Sequence, residues 1–111
     1  MQQSEIYLKG VRQGQSLVNH NVHSIDLEQV ESWTSFHDSI MSIVWEAQDI
    51  YQQYSPFESF AHELNESDDP ESAWELYESG IHDGAAHQSF EFFSKHLPHL
   101  EQPDKATYTT Y

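Results

Sequence analysis

Glu5-Ile-Tyr-Leu-Lys-Gly-Val-Arg-Gln-Gly14 and Glu75-Leu-Tyr-Glu-Ser-Gly-Ile-His-Asp-Gly84 are two copies of one pattern, set 70 positions apart. Each copy has glutamate, an aliphatic residue, tyrosine, two free positions, glycine, a second aliphatic, two free positions and glycine. Residues four apart share one face of a helix. Two glycines inside a helix cost roughly 2 kcal/mol against alanine. A helix that keeps them gains from their small size. The pattern is read as a crossing of the first and last helices at short distance, through Gly10/Gly14 and Gly80/Gly84. A frayed or broken first helix is the alternative. A phosphate loop does not fit, because the spacing is wrong, the context is mid-helix and no lysine follows.

Working outward, Leu8, Val11 and Val18 recur at helical spacing with Tyr7 alongside, which predicts a first helix over Ser4 to Asn19. Asn19 to Ser24 reads as a loop, followed by a short helix over Asp26 to Ser32. In the third helix, Ser35 is expected as the cap with Asp38 closing a capping box. Its apolar stripe is Phe36, Ile40, Ile43, Val44, Ala47, Ile50, Tyr51 and Tyr54. Ser55-Pro56-Phe57-Glu58 starts the fourth helix, with serine as cap and proline in the first helical position. Phe57, Phe60, Ala61 and Leu64 form its buried edge. Asn65 to Asp69 is a polar break. Asp69-Pro70 starts the last helix, and Trp74, Tyr77, Ile81, Gly84, Ala85 and Phe92 carry it to about Lys95. No window alternates in the manner of a strand. The expected fold is all-α: one bundle of four or five helices over residues 1–96, with a flexible tail over 97–111.

The charge pattern bears on function. From Gln13 to Ser94 there is no lysine or arginine, and this stretch carries sixteen carboxylates. Lys9, Arg12, Lys95 and Lys105 all lie near the ends, and the net charge is −15. A single-sign surface repels itself, so this composition costs stability. A partner that reads negative potential would account for it.

At 111 residues the chain is one domain. Aromatic residues are 14% and supply buried area. There is no cysteine, hence no disulfide, thiolate metal site or cysteine nucleophile. Met1-Gln-Gln-Ser-Glu5 lacks the basic and apolar segments of a signal peptide, and no apolar run reaches membrane-spanning length. The expected location is the cytoplasm. An anionic surface is repelled by nucleic acid and by anionic lipid, so neither is an expected direct partner.

Eight histidines invite a metal reading. His20 and His23 are three apart, as are His96 and His99, and His62 shares a helix face with Glu66. No His-Glu-x-x-His motif occurs, and neither a metal nor a cofactor is expected. No Gly-x-Ser-x-Gly, nucleotide loop or calcium-loop order is present. With nineteen acids, a carboxylate pair is not by itself a catalytic signal. The chain is not expected to be an enzyme.

The arrangement of the acids points to binding instead. Asp38, Glu46 and Asp49 share the polar face of the third helix. Glu58, Glu63 and Glu66 follow on the fourth, Asp68 and Asp69 at the break, and Glu71, Glu75 and Glu78 along the last. Acids one turn apart are about 5 Å apart along a helix, while phosphates advance about 3.4 Å per nucleotide of one strand. Two such rows could imitate two phosphate rows. Solvated helix faces usually interleave lysine with the acids, and here lysine is missing. These eleven acids are the expected partner-binding face, while Glu5 and Glu101 are expected to matter less.

The segments Ser55-Pro-Phe-Glu-Ser-Phe-Ala-His-Glu-Leu-Asn-Glu66 and Ala73-Trp-Glu-Leu-Tyr-Glu-Ser-Gly-Ile-His-Asp-Gly84 resemble small acidic proteins of bacteriophages and mobile elements. In charge, size and absent lysine the chain is similar to DNA-mimic anti-restriction and anti-CRISPR proteins. That class shares no motif, so no residue role is carried over. The resemblance implies an inhibitor in a host bacterial cytoplasm that blocks the basic DNA-binding groove of a defence protein; homodimerisation is left open. Two other readings compete: an adaptor anchored through Trp33 and the terminal tyrosines, which requires an exposed apolar patch, and a halophile's soluble protein with evenly scattered acids.

Overall fold

A computed structural model describes residues 2–104. Four helices are present: α1 Gln3–Asn21, α2 Trp33–Tyr51, α3 Ser55–Asn65 and α4 Pro70–His96. Two single 3-10 turns, Val22–Ser24 and Leu27–Gln29, link α1 to α2. No strand occurs among the described residues. The all-α bundle expected from the sequence is the fold.

The repeated pattern is the organising feature. Gly10, Gly14, Gly80 and Gly84 are buried where α1 meets α4. A methyl on Gly10 would overlap the Tyr77 carbonyl oxygen, and one on Gly80 would overlap that of Tyr7. Likewise a methyl on Gly14 would strike the Ile81 carbonyl, and one on Gly84 that of Val11. Each relation maps onto its mate when the two copies exchange roles. The helices therefore run parallel around a local two-fold axis, backbone against backbone, as small-residue pairs permit. Cα–H groups face carbonyls across this seam.

Parallel neighbours need a return path, and α2 with α3 supplies it. The start of α2 packs beside the end of α4: the Trp33 ring lies 6.4 Å from Phe90 and 5.3 Å from Phe93. The end of α2 reaches the first third of α4 through Gln48 and Tyr77. Beyond a turn at Gln52–Tyr54, α3 continues toward the start of α4, where the Trp74 indole donates to Asn65 at 2.9 Å. α4 is buried around most of its circumference, from Ala73 to Phe93, and is the central helix. The molecule is elongated, 47 × 28 × 17 Å, and its radius of gyration of 15.0 Å exceeds the roughly 13 Å of a spherical domain this size.

Several local expectations change. The α2 cap is Ser32, whose hydroxyl accepts from the Ser35 amide at 3.1 Å. Ser35 already lies in the first turn, so Asp38 closes no capping box. At α3 the residue before the helix is Tyr54, with no side-chain cap, and Ser55 is itself helical. Proline is tolerated throughout a first turn whose amides are unpartnered anyway, so Pro56 does not fix the start to one residue. Asp69 caps α4 as expected, accepting from the Ser72 amide at 3.3 Å and its hydroxyl at 2.8 Å. Those two bonds hold its carboxyl below the usual range. The short helix over Asp26 to Ser32 is one 3-10 turn, with Asp26 accepting from the Glu28 amide. α1 runs on to Asn21.

The α2 stripe is rotated from the expected one. Met41 and Gln48 are buried, while Ile50 and Tyr54 are 50% and 61% exposed. Leu8 of α1 is also exposed, and Ile6 takes the core position. Beyond α4, Leu97 is buried and the Gln102 amide donates to the carbonyls of Leu97 and Leu100. The non-helical tail is thus pinned at its start. The rest of it, residues 105–111, lies outside the described residues, with the terminal tyrosines.

Candidate functional site

Among the polar contacts between helices, two sets are the two halves of the local two-fold. Tyr7 donates to Asp83 at 2.5 Å. The equivalent pair, Tyr77 and Gln13, has Gln48 between its members. Gln48 donates to the Tyr77 hydroxyl at 3.3 Å and accepts from the Gln13 amide at 2.9 Å. Gln48 is 2% exposed, and this bridge satisfies its side chain. Burial pushes the Tyr77 phenol up to about 12, against a bond from Gln48 that favours the phenolate. Both sets join elements of the fold.

The acids are different. Of nineteen carboxylates only Asp83 is half-buried, and the rest are exposed. Among the described residues, acids that meet a histidine ring include Asp38 with His37 at 3.8 Å, Glu66 with His62 at 3.6 Å, Asp83 with His82 at 3.5 Å and Glu91 with His87 at 3.6 Å. Burial, and next the neighbouring His82, push the His37 imidazole below its ordinary value, so His37 offers Asp38 little charge at neutral pH.

The acids gather most at one end. The end of α3, the start of α4 and the start of α1 meet there. A groove of about 640 Å³ is lined by Glu5, Glu63, Glu66 and Asp68, with Ile6, Leu64 and Ser67. A smaller groove of about 170 Å³ adjoins it, with Asp68 and Asp69 on its rim. Glu71, Glu75 and Glu78 are exposed one turn apart along α4, leading away from this corner. Glu58 stands in the first turn of α3, about 12 Å of helix rise from Glu66. Glu46 and Asp49 are exposed on α2, and Asp38 lies toward the far end, beside the Trp33 cluster. The structure thus brings Glu63, Glu66, Asp68 and Asp69 together and leaves the α2 acids apart.

Glu5 was left outside the expected partner-binding face, and the structure places it beside two of that face's acids. It lines the same groove as Glu63 and Glu66. The signal was present in the repeat, because Glu5 is the counterpart of Glu75. Among the described residues, no three His, Asp or Glu side chains converge as metal ligands, and no helix is long and apolar enough to cross a membrane. Trp33 packs among Phe36, Phe90 and Phe93 and is no free anchor.

Comparison with known proteins returns no match to any family model, curated protein or solved structure.

Proposed function

We propose that this chain is an inhibitor of phage type that mimics DNA and blocks the basic DNA-binding groove of a host defence protein, of a CRISPR–Cas or restriction system. The observation that carries this reading is the crowding of exposed, unneutralised carboxylates at the α1–α3–α4 corner and along α4. Like charges so placed repel one another, and a cationic groove relieves that repulsion. The scale is suitable. A duplex carries about one charge per 1.7 Å of axis, or roughly 28 phosphates over the 47 Å of this molecule. The protein offers a net −15 over that length, about half the density. Acid rows one turn apart on a rigid helix hold their spacing without a partner, so little ordering is needed on binding. The even scatter expected of a halophile's protein fits this crowding less well.

The test begins with capture from a bacterial lysate at low ionic strength, with identification by mass spectrometry. The captured partner is then loaded with labelled duplex. The reading expects a DNA-binding protein whose duplex is displaced stoichiometrically. A partner that holds protein and duplex at once would contradict it.

A further inference from the structure

The two cations of α1 stand together on one groove. Lys9 and Arg12, one turn apart, line a depression of about 310 Å³ over the rings of Tyr51, Phe57, Phe60 and Tyr77. The Lys9 ammonium lies 4.7 Å from the Phe60 ring centroid, a cation–π contact. Neither cation meets a carboxylate within 4 Å among the described residues, where acid–base contacts run to histidine. In a molecule so rich in acids, two cations kept clear of them are conspicuous. Two exposed apolar side chains neighbour the groove in the chain without lining it: Leu8 stands one turn before Arg12 on α1, and Tyr54 lies two residues before Pro56 of the groove wall.

We propose that this groove is a docking site for an acidic amphipathic helix of a partner protein. Its leucine-type side chains would lie on the ring floor, flanked by Leu8 and Tyr54, and its flanking carboxylates would meet Lys9 and Arg12. Charge complementarity selects this occupant. A basic helix would be drawn to the acidic corner instead. A nucleic-acid strand, a dense polyanion, would be repelled by the whole molecule. A short helix with two or three carboxylates meets the two cations locally, and its apolar side chains cover surface that is otherwise wet. This site does not depend on the DNA-mimic reading, and it has the opposite response to salt. At about 0.01 M salt the field of the whole acidic surface reaches roughly 30 Å and repels the acidic helix; at about 0.15 M it reaches roughly 8 Å, and the local pairs prevail. Affinity for the acidic helix holds or rises over that range, whereas a contact made by the acidic corner weakens.

The experiment uses the full chain, labelled with nitrogen-15, and a synthetic helical peptide with leucines on one face and glutamates on its flanks. The control peptide has lysines in place of the glutamates. Expected are amide shifts at Lys9, Arg12, Tyr51 and Phe57, and at the neighbouring Leu8 and Tyr54, with the glutamate peptide, and none there with the lysine peptide. Arg12→Glu combined with Tyr54→Ser, both at exposed positions, should lower affinity at least about tenfold with the helical circular dichroism unchanged. Should that variant unfold, Arg12→Gln alone is read for the same loss. The proposal is overturned by absent groove shifts up to about 1 mM peptide, by equal binding of the folded variant, or by the lysine peptide seating in this groove. Failure of duplex displacement would count against the DNA-mimic reading and leave these shifts untouched.

Discussion

The glycine seam and the acidic corner both lie along the α1–α4 pair, and they are built on opposite rules. In the seam every close contact is between neutral backbone atoms, and one added methyl on any of four glycines collides with a carbonyl. Its energy is steric and dispersive, and salt should leave it untouched. At the corner Glu5, Glu63, Glu66 and Asp68 line one groove without a lysine or arginine among them. Among the described residues, the His62 ring, 3.6 Å from Glu66, is the one basic group within 4 Å of that charge. The comparison teaches that the fold is fixed by the seam and burdened by the corner. A surface that costs stability and does no packing is the place to look for function.

The largest expected effect lies in the seam. Gly84→Leu should destabilise by at least about 3 kcal/mol, because the neighbour that must move is the α1 backbone at Val11. Leucine's helix propensity, better than glycine's by less than about 1 kcal/mol, is too small to offset this. Urea unfolding measures it, and a stabilised variant would break the account of the seam. The two halves of the two-fold sharpen the contrast. Gln48→Leu strands Tyr77 and Gln13 and should cost about 1–3 kcal/mol. Asp83→Asn, at a half-buried site, still accepts from Tyr7 and should cost less than about 1 kcal/mol.

Tyr77 also predicts a pH dependence. Its folded pKa, about 12, lies above the reference 10.0, so the folded state holds the phenolic proton more tightly. That stabilisation is complete below pH 10 and is lost as pH rises toward 12. Stability should therefore fall across this window, and Tyr77→Phe should flatten the fall. A smaller effect separates the two serines. Ser32→Ala should cost about 1 kcal/mol as the loss of a cap, and Ser55→Ala should stay within about 0.5 kcal/mol. Equal costs at the two sites would return the cap to Ser55.

Much of this was legible in the sequence, for physical reasons. The repeat carried the helix crossing because glycine is costly in a helix and is kept only where size matters. It did not carry the direction of crossing, which the chain achieves through the antiparallel return of α2 and α3. Asp69-Pro70 marked a helix start correctly because Asp69 can reach the Ser72 amide. Ser55-Pro56 misled by one position because proline has several tolerated places in a first turn. Gln48 was invisible to hydropathy, since a glutamine becomes a core residue only when Tyr77 and Gln13 satisfy it. The acids were legible as a composition but not as a site. Their grouping depends on how the end of α3 folds back on α1, and this drew in Glu5 while leaving Asp38, Glu46 and Asp49 elsewhere.

The central claim is that the acids along α4 and its corner act on a partner and not on the fold. Glu71→Lys, Glu75→Lys and Glu78→Lys together change the net charge from −15 to −9 at exposed positions. The decisive measurement is displacement of labelled duplex from the captured DNA-binding partner by the original chain and by this triple variant, across a salt series. The account predicts a variant that keeps its helical spectrum and melting behaviour yet loses displacement, and an original chain whose competition weakens steeply as salt rises. A folded triple variant that displaces duplex as well as the original, with no response to salt, would contradict it.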